Sequence, residues 1–298
     1  MKLGPMLPQA GPAARRELVL RVAQTAEDAG YDSVWVNDHV VFPREWTSRY
    51  PYSPTGRPPG RVTIEGSLLE PLTELAFVAA ATSRVELGTA VFVLPMRQPV
   101  LMAKVLATID HLAGGRLILG AGIGWAKEEF EVLGMPWDRR GARFEEMIRL
   151  LRAFWTQEWV DFTGEFYTVD GWTSRPQPPR HVPILVGGHG PAQMRRIGQL
   201  ADGWLTHGNS VPTLQQDFEP ARAAARAAGR DPDTLTIAMT GIGLLAQDAL
   251  GEVAERMHRA KEAGVQHATI GIHPREWESA PALLEQFAAK HLKALQAP

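Results

Sequence analysis

Residues 85–121, VELGTAVFVLPMRQPVLMAKVLATIDHLAGGRLILGA, decide the fold. A nearly continuous apolar strand over 85–94 is followed by a helix over 98–112 and a second strand over 116–121. A strand that is apolar on both faces is one covered on both faces. Strand, helix, strand in succession implies parallel pairing through a right-handed crossover.

The same unit recurs on either side. Upstream come a strand over 2–7, a helix over 15–29, a strand over 33–37 reading Ser-Val-Trp-Val-Asn, and a helix over 68–82. Leu18, Val22 and Ala26 share one face of the first helix, and Gly30 is placed to stop it. Downstream the clearest helix spans 138–155, with Phe144, Met147, Ile148, Leu151, Phe154 and Trp155 on one stripe. Strands are expected over 182–186, 203–207, 235–240 and 267–272. Helices are expected over 191–201, 214–228, 249–263 and 280–295. Eight strand-helix units in 298 residues predict a (β/α)8 TIM barrel, one domain over 1–298, ahead of a doubly wound open sheet. Two connections are too long for simple loops. One is 38–67, after strand two, and belongs to the catalytic face. The other is 156–181, after helix four, an insertion carrying a small hairpin around 162–167.

Composition excludes several classes. Net charge is −2 with no basic block, which argues against nucleic acid and against a membrane surface as partner. There is no cysteine, hence no disulfide framework, thiolate metal site, iron–sulfur cluster or thiol nucleophile. The opening MKLGPMLP is too short and too Pro-interrupted for a signal sequence, and no apolar run approaches membrane length, so a cytoplasmic location is expected.

In such a barrel the residues just after each strand converge on one mouth. Asn37, Asp38 and His39 follow strand two, and Thr89, Ala90 and Val91 lie at the end of strand three. Gly122, Ile123, Gly124 and Trp125 follow strand four; Gly187, Gly188, His189 and Gly190 follow strand five; His207 ends strand six. Gly120-x-Gly122-x-Gly124 has the wrong spacing and place for a dinucleotide fingerprint. The glycines at 187–190 open straight into a helix starting at Pro191, a setting that suits a phosphate. His39 has a reference pKa suited to moving a proton, or is a structural imidazole held by Asp38. Trp46, Tyr50 and Trp125 form an aromatic wall for a planar ligand, or ordinary packing. Glu128, Glu129 and Glu131, after strand four, supply acid chemistry or, the preferred reading, form the solvated face of a short helix. A rival reading has His39, His189, His207 and His273 converging on a divalent metal in a hydrolase or isomerase.

At these residues the sequence resembles the luciferase-like monooxygenases. The resemblance runs from LGPMLPQ at 3–9 through AGYDSVWVNDH at 29–39, VELGTAVFVLP at 85–95, DHLAGGRLILGAGIGW at 110–125 and EEFEVLG at 128–134, to PILVGG at 183–188 and ADGW at 201–204. It implies a barrel with a flavin-type ring at the mouth, a cofactor that is coenzyme F420, the deazaflavin, or else FMN, and a non-prolyl cis peptide at Ala90–Val91. It places Asp38 and His39 at the ring edge, with His39 catalytic. Thr89, Ala90, Val91, Gly122, Ile123, Gly124 and 187–190 would hold the cofactor; Trp46, Tyr50, Trp125 and His207 would hold substrate. Trp125 occupies the position where the sugar-phosphate dehydrogenases of this family carry a Glu, so their substrate and acid–base pair do not carry over. The implied activity is hydride transfer between deazaflavin and a small organic molecule, or monooxygenation with reduced FMN supplied by a separate reductase. A cofactor-binding protein without turnover is a third class. The resemblance also implies a homodimer.

Overall fold

The computed structural model of the chain describes residues 1–58, 68–207 and 211–297. Eight parallel strands form the frame: β1 (Lys2–Pro5), β2 (Ser33–Val36), β3 (Glu86–Thr89), β4 (Leu117–Gly122), β5 (Ile184–Gly187), β6 (Gly203–His207), β7 (Thr236–Thr240) and β8 (His267–Ile272). Each pairs with its chain neighbour, and β8 pairs with β1 from Lys2↔His267 to Pro5↔Ile270. The circle closes where Met6 bridges Trp35 in parallel and Leu7 N–H donates to Trp35 O at 2.8 Å. The (β/α)8 barrel is therefore a finding, and β2 and β4 are buried at every residue, as their unbroken apolar runs require.

The helices form the outer ring: α1 (Arg16–Asp28), α2 (Pro71–Ala79), α3 (Pro99–Leu112), α4 (Arg140–Thr156), α5 (Pro191–Leu200), α6 (Leu214–Ala227), α7 (Leu250–Glu262) and α8 (Ala280–Phe287). The stripe expected on α4 is buried, and Trp155 Nε1 donates to Ala103 O on α3 at 3.0 Å. The long last helix expected over 280–295 is broken by a π-helical stretch, Ala288–Leu292, before its final turn, Lys293–Gln296.

Inside the barrel, Trp35, Ile118, Leu185, Leu205 and Ala238 form a core of their own, separate from the strand–helix core. Trp35 fits because β3 offers a glycine: a Cβ on Gly88 would lie 2.3 Å from the indole.

The strand expected over 85–94 is two pieces. β3 pairs β2 and β4, then the chain passes a cis peptide at Ala90–Val91, and Phe92–Val93 pairs the last residues of β4. The connection after α4 carries an antiparallel hairpin, Val160–Thr163 with Thr168–Trp172, held to α4 by Glu146, which accepts the N–H groups of Glu165, Phe166 and Tyr167. Of the connection after β2, residues 59–67 lie outside the described residues.

Candidate active site

The C-terminal ends of the strands open into a cleft of about 1440 Å³. Its floor is built from small residues. Ala90 and Val91 line it, and Val91 stands between Gly122 and Gly187: a Cβ on either would come within 2.8 Å of a Val91 methyl. Ile123 and Gly124 extend this lining beside β4. Thr269, on β8, also lines the cleft, and its buried hydroxyl has no partner among the described residues. A small-residue shelf with an unsatisfied hydroxyl beside it suits a flat ligand carrying polar edges.

The end of β2 is fixed by three separate clamps. Gln9 accepts Asn37 N–H at 2.7 Å and donates to Asn37 O. Asp38 takes a bidentate ion pair from Arg97 at 2.6 and 2.8 Å, plus Val93 N–H at 2.7 Å. Burial pushes its carboxyl upward, while Arg97 and the N–H pull it back. Asp38 therefore lines the cleft through its backbone position while its carboxylate is spent on Arg97. Its side chain anchors the loop. Asp38 does not hold His39: His39 Nδ1 lies 2.7 Å from Glu129 Oε2, and Glu129 Oε1 accepts Val40 N–H at 2.9 Å.

Glu129 is on the short helix Lys127–Val132 after β4, and its side chain is 2% exposed. The reading as a solvated face is thus overturned for Glu129, which is buried, while Glu128 is half-buried and engaged by the loop. Glu128 Oε1 accepts Thr47 N–H, Thr47 Oγ1–H and Ser48 N–H at 2.6–2.7 Å. Burial opposes the charge, yet these donors hold the carboxyl down at about 2. Only Glu131 keeps the expected exposure. The short helix thereby staples the loop over 39–48 across the mouth.

Aromatic rings surround His39. Its ring centroid lies 5.6 Å from Phe42, 6.0 Å from Trp46 and 5.8 Å from Trp125. Trp125 and Tyr50 line the cleft and meet edge to face at 5.1 Å. Trp46 does not line it; it reaches the site through its ring contacts with His39 and Trp125, 4.9 Å from the latter. Across the cleft Tyr52 stacks on His207 at 5.6 Å and meets His189 at 5.9 Å. Burial lowers His189 below the usual imidazole range. Thr89, expected to touch the cofactor, does not line the cleft: it is fully buried, its hydroxyl donating to Gly120 O at 2.8 Å.

At the α5 end, Gly187, Gly188 and His189 line the cleft, while Gly190 sits just outside it as the residue before the helix. Gly188 and Gly190 have φ of +109° and +91°, values that only glycine takes easily. Two guanidinium groups that the sequence reading missed face this corner, Arg140 on α4 and Arg196 on α5. Arg196 is paired with Glu145 at 2.7 Å. Arg140 stacks 3.6 Å from the Trp137 ring and makes no close ion pair among the described residues, Asp138 acting on it only from a greater distance. Burial, with Arg143 and Arg196 close by, lowers it from the usual guanidinium range. Crowded like charges next to a glycine-rich helix start form a cradle for an anion. Helix position was the available signal: Arg140 begins α4, and Arg196 lies in the second turn after the glycines.

The four histidines of the metal reading do not converge. His39, His189 and His207 line the cleft, but His273 accepts Arg275 N–H on its own turn, and no group of three His, Asp or Glu among the described residues is placed to hold a metal. No helix among those residues is long and apolar enough to cross a membrane.

A closed barrel with an open mouth is a frame that many chemistries share, and comparison with known proteins identifies the family. The luciferase-like monooxygenase profile matches residues 2–294, and the chain belongs to that family. An uncharacterized protein of Mycobacterium tuberculosis is 38% identical over 192 residues, 64% of this chain and 65% of the relative, so the chain spans just under two thirds of the length of that relative. An F420-dependent glucose-6-phosphate dehydrogenase of Nakamurella multipartita is 35% identical over 237 residues, covering 78% of this chain and 63% of the relative. Among solved structures, an F420-dependent secondary alcohol dehydrogenase in complex with an F420–acetone adduct superposes with a TM-score of 0.77 at 21% identity, over 96% of this chain and 97% of the other. A monooxygenase from Streptomyces bottropensis gives 0.74 at 24% identity, over 99% of both chains. The structural likenesses show the shared fold.

Proposed function

We propose that this protein is a deazaflavin-dependent oxidoreductase that exchanges a hydride between bound coenzyme F420 and a small organic alcohol or carbonyl compound. The observation that carries the reading is His39, held by Glu129 beside a shelf of small residues, with an anion cradle at the far end of the same cleft. The cofactor, when bound, supplies the two-electron redox chemistry. Ala90, Val91, Gly122 and Gly187 support its ring; Arg140, Arg196 and the α5 start take its phosphate. Trp125 and Tyr50 wall the substrate and keep water from it. His39 takes or returns the hydroxyl proton that accompanies the hydride. The Trp at position 125 leaves no carboxylate at that place, so a single imidazole does the proton work. The names of the F420-dependent relatives support this choice of cofactor.

Monooxygenation with reduced FMN from a separate reductase is the second reading; the family description supports it. On either reading the partner is a small molecule, with no nucleic acid or membrane, and the assembly is a homodimer in the cytoplasm.

Titrating the purified protein with each cofactor separates the two, because flavin and deazaflavin absorb differently. The expected result is a deazaflavin dissociation constant at least tenfold below that of FMN, about 1.4 kcal/mol. Tighter FMN binding would overturn the proposal.

A further inference from the structure

We infer that Glu129 is a positioning residue that fixes the tautomer of His39. It holds the proton on Nδ1 and leaves the Nε2 lone pair for the cleft. The inference deepens the proposed function and rests on it for its chemistry, though the tautomer itself does not.

Three nitrogens surround the Glu129 carboxyl group. Glu129 Oε1 accepts Val40 N–H at 2.9 Å and lies 3.5 Å from Val41 N. Oε2 lies 2.7 Å from His39 Nδ1. The backbone N–H groups cannot reverse their role, so Oε1 must accept. A carboxylate at Oε2 accepts only, and Nδ1 must then be the donor. In a neutral imidazole with Nδ1–H, the other nitrogen carries a free lone pair. His39 Nε2 has no hydrogen-bond partner among the described residues, and His39 lines the cleft. The ring cannot easily swing away, because Phe42, Trp46 and Trp125 surround it. A solvated imidazole prefers the opposite tautomer, so the pairing with Glu129 reverses the default.

For the reaction, the consequence is directional. A bound deazaflavin would supply the hydride acceptor for the C–H hydrogen of an alcohol and its electron pair; the role of this chain is to take the O–H proton on Nε2 as the carbonyl forms. Nε2 receives that proton only if it starts without one.

The experiment reads the histidine ring nitrogens by two-dimensional 1H–15N correlation on protein carrying 15N-histidine, with neither cofactor nor substrate added. The His39→Asn variant assigns the His39 signals. The wild-type ring is expected to show protonated Nδ1 and bare Nε2. In Glu129→Gln, the amide oxygen stays toward Val40 N–H and its NH2 turns toward the imidazole. That donor requires a bare Nδ1, so the tautomer reverses to Nε2–H. Glu129→Ala, which removes the contact, is expected to return the ring to the solvated preference and serves if the Gln variant does not fold. With the cofactor bound, Glu129→Gln is expected to lower kcat at least tenfold while the deazaflavin dissociation constant changes less than twofold. A wild-type ring protonated at Nε2, whether as the neutral Nε2–H tautomer or as an imidazolium paired with Glu129, overturns the inference. So does a tautomer that is the same in wild type and both variants. If the tautomer is as stated but deazaflavin fails to bind, the functional reading falls and the role of Glu129 stands.

Discussion

Glu74 shows what one buried side chain does to the whole molecule. It lies in α2, 4% exposed, and neither carboxylate oxygen has a partner among the described residues. Burial, with Glu70 one turn earlier, raises its carboxyl to about 8. An ordinary Glu in the unfolded chain ionises near 4.5. Between these values the folded chain holds a proton that the unfolded chain has released, so stability falls as pH rises from 4.5 toward 8. Glu74→Gln keeps the shape and cannot ionise. It is expected to be nearly neutral at pH 4.5 and to gain stability over wild type by roughly 2–4 kcal/mol at pH 8, at about 1.36 kcal/mol per unit. Urea unfolding at the two pH values checks this. A difference that does not change with pH would mean that Glu74 finds a cation or water in solution.

At the scale of elements, the anion cradle is made by two helix starts meeting. α5 begins right after Gly188 and Gly190, and α4 brings Arg140 alongside Arg196. A substitution at Gly188 would be confounded by its φ of +109° and by Gln193, 3.1 Å from the added Cβ. Arg140 is the cleaner probe, having no ion pair to break among the described residues. Arg140→Gln is expected to raise the dissociation constant for deazaflavin by about tenfold, with a smaller effect at high salt, since removing a charge removes a screened attraction. An unchanged constant at low salt would place the phosphate elsewhere. The elements themselves were legible where the signal was local. Apolar runs marked all eight strands, and spacings of three and four marked α4. The break at Ala90–Val91 was not visible in the run 85–94 as apolar pattern, because both pieces are apolar; only the resemblance pointed to it. The long-range pairing of Glu128 and Glu129 was invisible for a different reason. Their partners, His39 and Thr47, lie 90 and 81 residues away. Local charge spacing carries no trace of a contact made across the barrel mouth.

The barrel as a whole has two ends with opposite tasks, and both depend on polar groups inside a closed cylinder. The mouth leaves His39 and the Thr269 hydroxyl facing a cavity. The closed end has no such freedom. There His267, on β8, sits 2.7 Å from Ser33 Oγ on β2, and Ser33 in turn accepts Trp35 Nε1–H at 2.7 Å. That oxygen accepts from the indole and can give its own proton to an unprotonated His267 Nε2. Burial, with Lys2 and the chain amino terminus nearby, lowers His267 to about 3. In the unfolded chain the same ring titrates near 6.5. Between pH 6.5 and 3 the unfolded chain therefore binds a proton that the folded barrel refuses, and acid favours unfolding across that window. The contribution is complete above pH 6.5 and is lost progressively below it. By pH 4 it amounts to on the order of 3 kcal/mol, a large share of a typical domain's stability. His267→Gln keeps an acceptor for Ser33 and carries no titrating group. It is expected to be less stable than wild type at pH 7 by about 1–2 kcal/mol, through imperfect packing, and to lose less stability on acidification. Urea midpoints at pH 7 and pH 4 measure both. If the two proteins lose the same stability between those values, the closed end admits a proton to His267 at little cost, and the acid sensitivity of the barrel lies in its carboxylates instead.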